Sequence, residues 1–129
     1  MSFGREALPL TSIQGFLHGF VAGGGNNGLI LDQMIVAAPA QIRLAIAAAA
    51  AGGGSPTTLD VRINDSSVWH NAADRPTLAA GKTGRFASGR INKSALQPGD
   101  VLTLLIVTAG GGSQITATVV LEDPSQRGG

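Results

Sequence analysis

The chain has no cysteine and no tyrosine, one tryptophan, four phenylalanines and two histidines among its 129 residues. Without cysteine it has neither disulfides nor thiolate metal sites, and its fold must come from packing alone. With only His18 and His70, a zinc site would need two further ligands from scattered carboxylates. A hydrolytic triad would likewise have just two candidate bases. Ser66 and Ser67 lie near His70 in what reads as a turn, and nothing else supports nucleophilic catalysis. Charged residues make up 13% of the chain, with a formal net charge of +1. The largest basic group, Lys82, Arg85, Arg90 and Lys93, is diluted by small residues. The dense basic patch and stacking aromatics of a nucleic-acid binder are absent. No apolar run approaches the ~18–20 residues of a membrane helix, the longest being the alanine-rich Leu44 to Ala51. The opening residues, Met1 to Glu6, carry a charged pair ahead of any apolar run, unlike a secretory signal. These features predict no enzyme, no cofactor, no metal, no nucleic-acid partner and no membrane partner.

Small residues and β-branched segments dominate what is present. The 19 glycines include three Gly-Gly-Gly runs, at 23–25, 52–54 and 110–112. Low charge with much small apolar surface is consistent with an exterior partly covered by neighbours. It is equally consistent with short turns and thin strands.

The pattern along the chain is one of short strands. Residues 1–11 lack a period and read as an extended arm containing Phe3, Arg5, Leu8 and Leu10. Ser12 to Ala22 predicts a first strand, with Gly15 and Gly19 as candidate bulges. Asn26-Asn27-Gly28 ends a turn, and Leu29 to Val36 predicts a second strand. Ala37 to Ala51 carries two signatures. Pro39 and good helix formers suggest a helix, whereas Ile42, Leu44 and Ile46 alternate with Gln41, Arg43 and Ala45. The period of two and the neighbouring strands favour a strand over Gln41 to Ala47 running into an Ala/Gly loop, and the helix stays open.

Thr58 to Asn64 is the clearest alternation, predicting a half-buried strand with Asp60, Arg62 and Asn64 facing solvent. Thr77 to Ala79 and Gly84 to Ile91 are further short segments. Val101 to Thr108 and Ser113 to Glu122, separated by Gly110 to Gly112, read as a closing β-hairpin. About eight short strands predict an all-β, two-sheet sandwich, either jelly-roll or immunoglobulin-like, over residues 12–123, with a flexible tail over 124–129. Leu59, Val61, Ile63, Val101, Leu104, Ile106, Val119 and Leu121 are the expected core.

Three clusters are weighed for binding chemistry. Trp69-His70-Asn71 could present an indole to a sugar face, or Trp69 could anchor the core with His70 on the opposite side. Asp60, Asp65 and Asp74 match no calcium-loop spacing, and Asp65 and Asp74 read better as turn caps. Gly81-Lys82-Thr83 ends like a phosphate loop, but Pro76 stands where its first glycine belongs.

Read as an ordered series, four pieces resemble one family. They are Ile42 to Ile46; Thr58 to Val68, with Val61-Arg62-Ile63-Asn64 at its centre; Arg75-Pro76-Thr77-Leu78-Ala79-Ala80-Gly81; and Leu96-Gln97-Pro98-Gly99-Asp100-Val101-Leu102-Thr103. Their order resembles small phage-type virion β-sandwich proteins. The resemblance implies a capsid decoration (cement) protein on the virion surface, made in the host cytoplasm. Its implied partners are the major capsid protein and itself, as a homotrimer. The alternative it implies is a receptor- or carbohydrate-binding module of a tail or fibre. On this reading the arm, through Phe3, Arg5, Leu8 and Leu10, would pair with a neighbour's sheet edge, and Trp69 and His70 are further candidate contacts.

Overall fold

A computed structural model describes residues 13–123. The expected arm contacts Phe3, Arg5, Leu8 and Leu10, and the tail over 124–129, lie outside the described residues. Ten strands form: β1 (Ile13–Val21), β2 (Ile30–Ile35), β3 (Ala40–Ala51), β4 (Thr57–Ile63), β5 (Ser66–Ser67), β6 (Thr77–Leu78), β7 (Gly84–Ala87), β8 (Ala95–Leu96), β9 (Val101–Thr108) and β10 (Ser113–Glu122). A single 3-10 turn spans Ala72–Asp74. The strands divide into two antiparallel sheets. Sheet A has the order β1-β10-β3-β7, with β8 also on β3. Sheet B has the order β2-β9-β4-β5, with β6 also on β4.

With β5 and β8 left out and the equally short β6 kept as the partner of β4, the chain order is 1-8-3-6 in one sheet and 2-7-4-5 in the other. This is the eight-stranded jelly-roll arrangement, and it decides between the two sandwich types left open by the sequence. The sheets bury Leu17, Ile42, Leu59, Val61, Leu96, Leu102, Leu104, Ile106, Ile115, Val119 and Leu121 between them. Ile63 and Val101, expected in the core, are only half-buried.

The closing hairpin does not form. β9 pairs with β2 and β4, while β10 pairs with β1 and β3, so the two runs lie in different sheets. Each gains two strand neighbours instead of one, which suits two unusually apolar runs. The glycine corner between them makes the crossing sterically feasible, because the three triglycine runs meet there. A Cβ on Gly24 would lie 2.8 Å from Gly111 Cα, and one on Gly112 would lie 2.6 Å from the Ala51 carbonyl oxygen. A Cβ on Gly53 would collide with the Gly110 carbonyl. The runs therefore pack backbone against backbone at one pole of the sandwich.

β3 is a strand throughout, and the alanine run continues it rather than forming a loop. Its period slips once. Val120 pairs with Leu44 and Leu121 with Ile42, so Arg43 is the extra residue of a bulge. Beyond it Ala45, Ala47 and Ala49 turn inward, while Leu44 and Ile46 turn out. Of the glycines read as candidate bulges, Gly15 adjoins one, between Ile13 and Gly15. Gly19 keeps regular register and instead leaves room for Leu31 of the facing sheet.

Candidate interaction surface

The outer faces of the two sheets differ. On sheet B, the chain after β4 turns at Asn64-Asp65, both with positive φ (50° and 71°), and folds back as β5. Two successive left-handed residues in a two-residue hairpin make a type I′ turn. From the following segment, the side chains of Ser67 and Arg75 reach the outward-facing Asp60 of β4. Asp60, expected to face solvent, is thereby 0% exposed. Its Oδ1 accepts from Ser67 Oγ at 2.7 Å and from the Val61 N–H at 2.9 Å. Its Oδ2 accepts from Arg62 Nε at 3.0 Å. Arg75 Nε lies 3.5 Å from Oδ1 and adds a second positive charge. A buried carboxylate is tolerated only with such pairing, and here it clamps that segment onto β4.

Trp69 belongs to the packed interior, only 3% exposed, so its indole offers no open face to a sugar. His70, its neighbour, is exposed, and its backbone N–H donates to Asn92 Oδ1 at 2.9 Å. Asn71 accepts from the Ala73 N–H at 3.1 Å and caps the 3-10 turn. The three residues thus serve three separate structural contacts. Among the described residues no three His, Asp or Glu side chains gather as metal ligands would.

On sheet A the outer face over β1, β10 and β3 carries exposed apolar side chains. Register places three rows across its outer face: Phe16–Val120–Leu44, His18–Thr118–Ile46 and Phe20–Thr116–Ala48. Phe16 is 62% exposed, Phe20 59% and Leu44 41%. None of these nine positions carries Asp, Glu, Lys or Arg. His18 Nδ1 and Thr118 Oγ1 are 2.9 Å apart and tie the middle row together. Beside them lies a shallow depression of about 200 Å³, lined by Ile46, Ala48, Thr116 and Thr118 among others. Phe16, His18 and Phe20 share a face because they stand two residues apart on β1, with Leu17 and Val21 pointing the other way.

The free edge of β1 is occupied at its middle. The His18 N–H donates to Asp32 Oδ2 at 3.0 Å, reaching across from β2. A carboxylate taking an edge donor blocks strand addition at that point.

A second surface mixes polar and apolar side chains. Between the end of β4 and β8 a groove of about 560 Å³ is lined by Ile63, Asn64, Ser66, Asn92, Lys93, Ser94 and Ala95. Asn64 is committed within it: its Nδ2 donates to Asp100 Oδ1 at 3.0 Å, and its Oδ1 accepts from the Val101 N–H at 2.9 Å. The Asp100 carboxylate also accepts from the Gln97 N–H at 2.8 Å. The Gln97 bond and then the Asn64 bond hold its pKa below the ordinary 3.8.

Compared with known proteins, the chain matches no family model and no curated sequence. Of the residues singled out by sequence, Trp69 and His70 do not form a site together. The face on sheet A, which carries the largest exposed apolar side chains, was not anticipated as a surface. Its signal was Phe16, His18 and Phe20 at spacing two in a chain with few charges.

Proposed function

We propose that this chain is a non-enzymatic structural protein of a virus particle, a decoration protein that sits on the capsid and braces neighbouring subunits. The carrying observation is the outer face of sheet A over β1, β10 and β3, where Phe16, Phe20 and Leu44 are open to solvent and no charged residue stands in the three rows, with Ile30 and Ile35 of β2 a second exposed apolar pair on sheet B. An apolar patch of this size is about that of the largest patch on a typical monomer, and such patches are often functional. The ordered resemblance from Ile42 to Val101 supplies the virion context, and the buried Trp69 weighs toward bracing rather than ligand capture. The partners on this reading are the major capsid protein and further copies of the chain.

A second reading, a receptor- or carbohydrate-binding module of a tail or fibre, draws on the groove around Asn92, Lys93 and Ser94. Lys93 and Ser94, with the amide nitrogen of Asn92, are groups there that suit a sugar's hydroxyls, while Asn64 and the Asn92 carbonyl oxygen already hold partners. Immunogold labelling of particles of the virus that encodes the chain separates the two. Label over the shell supports decoration, and label at the tail tip supports the module. Particles that carry no label would refute both.

A further inference from the structure

We infer that a groove between β3 and the loop joining β7 to β8 binds a small oxyanion, a phosphate ester or a carboxylate, between Arg43 and Arg90. The inference does not rest on the virion reading, and its test reads the isolated protein.

The groove follows from how two short strands share one neighbour. β7 and β8 both pair with β3, but the chain between them leaves it. The Ser88 N–H donates to the Ala45 carbonyl at 3.0 Å, and the Ile42 N–H donates to the Ser94 carbonyl at 2.8 Å. Between these anchors β3 advances by Arg43 and Leu44 alone, whereas the other chain spends Gly89 to Lys93. The surplus residues arch away, and a groove of about 340 Å³ lies between the arch and β3. The arch is itself pinned. The Gly89 N–H donates to the Asp74 carbonyl at 2.7 Å, and the Asn92 and Lys93 N–H groups donate to the Val68 carbonyl at 2.9 and 3.0 Å. Walls fixed in this way lower the ordering cost of binding.

The lining selects the charge of the ligand. It holds Arg43 and Arg90 with Gln41, Ser88 and Ser94, and no carboxylate. Arg90 belongs to the basic group singled out in the sequence, and Arg43 joins it from a distant part of the chain. Arg43 is the extra residue of the β3 bulge, a device that re-aims a side chain. Its acidic neighbour Glu122 is 3.9 Å from Nε, at the limit of an ion pair, and the Arg43 side chain stays 55% exposed. Arg90 is exposed and makes no ion pair among the described residues. Asp74 lies against Gly89 but is not part of the lining. Guanidinium forks match the paired oxygens of phosphate and carboxylate, and the Gln41 amide and Ser94 hydroxyl add neutral donors. A neutral ligand would leave both cations without a counter-charge. The pairs are open to water and screened by salt, so the dissociation constant falls in roughly the millimolar range.

Titration of isotope-labelled protein with inorganic phosphate, and separately with acetate, followed by NMR at constant ionic strength in sodium chloride, tests this. The expected result is a saturable shift confined to the amides of 41–44 and 88–94 and to the Nε–H signals of Arg43 and Arg90. Saturation by either anion upholds the site, and the tighter of the two names the ester or the carboxylate as its ligand. Arg90→Gln removes an exposed side chain that has no ion pair to lose, and should weaken binding about fivefold or more. Arg43→Gln should do the same, while Lys82→Gln, outside the groove, should change nothing. No saturable shift with either anion, equal shifts around Lys82, or binding indifferent to Arg90→Gln would overturn the inference.

Discussion

Neighbouring glycines of the second triglycine run should respond to alanine with opposite signs. Gly54 has open space around its missing Cβ, whereas a Cβ on Gly53 would meet the carbonyl of Gly110 and would come within 2.6 Å of Gly112 N. Relief requires the 52–54 loop to part from the 110–112 corner. That movement strains three hydrogen bonds: Ser55 N–H to the Gly110 carbonyl at 3.3 Å, Gly81 N–H to the Gly53 carbonyl at 2.9 Å, and Gly110 N–H to Thr57 Oγ1 at 2.9 Å. Forced overpacking costs about 1–3 kcal/mol, and each hydrogen bond lost adds ~1 kcal/mol. With one of the three bonds lost, Gly53→Ala should therefore destabilise by about 2–4 kcal/mol, lowering Tm by roughly 8–16 °C for a domain of this size. Gly54→Ala meets nothing and restricts the unfolded chain, so it should stabilise by ~0.5 kcal/mol. Urea unfolding with an unchanged m-value measures both. If Gly53→Ala falls within about 1 kcal/mol of the parent, or if the two variants lose equally, the packed glycine pole is not what holds this end together.

Asp60→Ala leaves Arg62 and Arg75 without their buried counter-charge and should cost about 3–5 kcal/mol in urea unfolding; a loss under ~1 kcal/mol would show that the clamp is not structural. Replacing Asp60 and Arg75 together by leucine should recover much of that loss, since an apolar pair needs no desolvated charge. Asp65→Gly, at the second left-handed position of the type I′ turn, should stabilise by ~0.5–1 kcal/mol, and a drop in Tm would contradict the turn assignment. Asp100 has a folded pKa below its ordinary 3.8, so its contribution to stability is present above that value. It fades as pH falls through the lowered folded pKa. The gap in urea midpoint between the parent and Asp100→Asn should accordingly close on acidification, and a gap constant with pH would count against the Gln97 and Asn64 contacts.

The amino-acid sequence was enough to establish an all-β chain, the absence of thiol chemistry, and most strand positions. β1, β2, β4, β9 and β10 fall within a residue or two of the expected segments. Alternation and turn residues are local signals, and strands follow from them directly. Which strands pair is not local. The two C-terminal runs looked like a hairpin because they are adjacent in the chain, but each satisfies its backbone better with two partners in separate sheets. Nor is the facing of a strand local once its register can slip. One extra residue at Arg43 turned Leu44 and Ile46 out and three alanines in, and only the pairing with Val120 and Leu121 shows it. Burial of Asp60 depended on a segment that folds back over β4, six to fifteen residues further along the chain. The candidate surface shares that dependence. β1 has apolar residues on both sides, so its own pattern cannot say which side is covered. Packing Leu17 and Val21 against sheet B decides it, and leaves Phe16 and Phe20 outside.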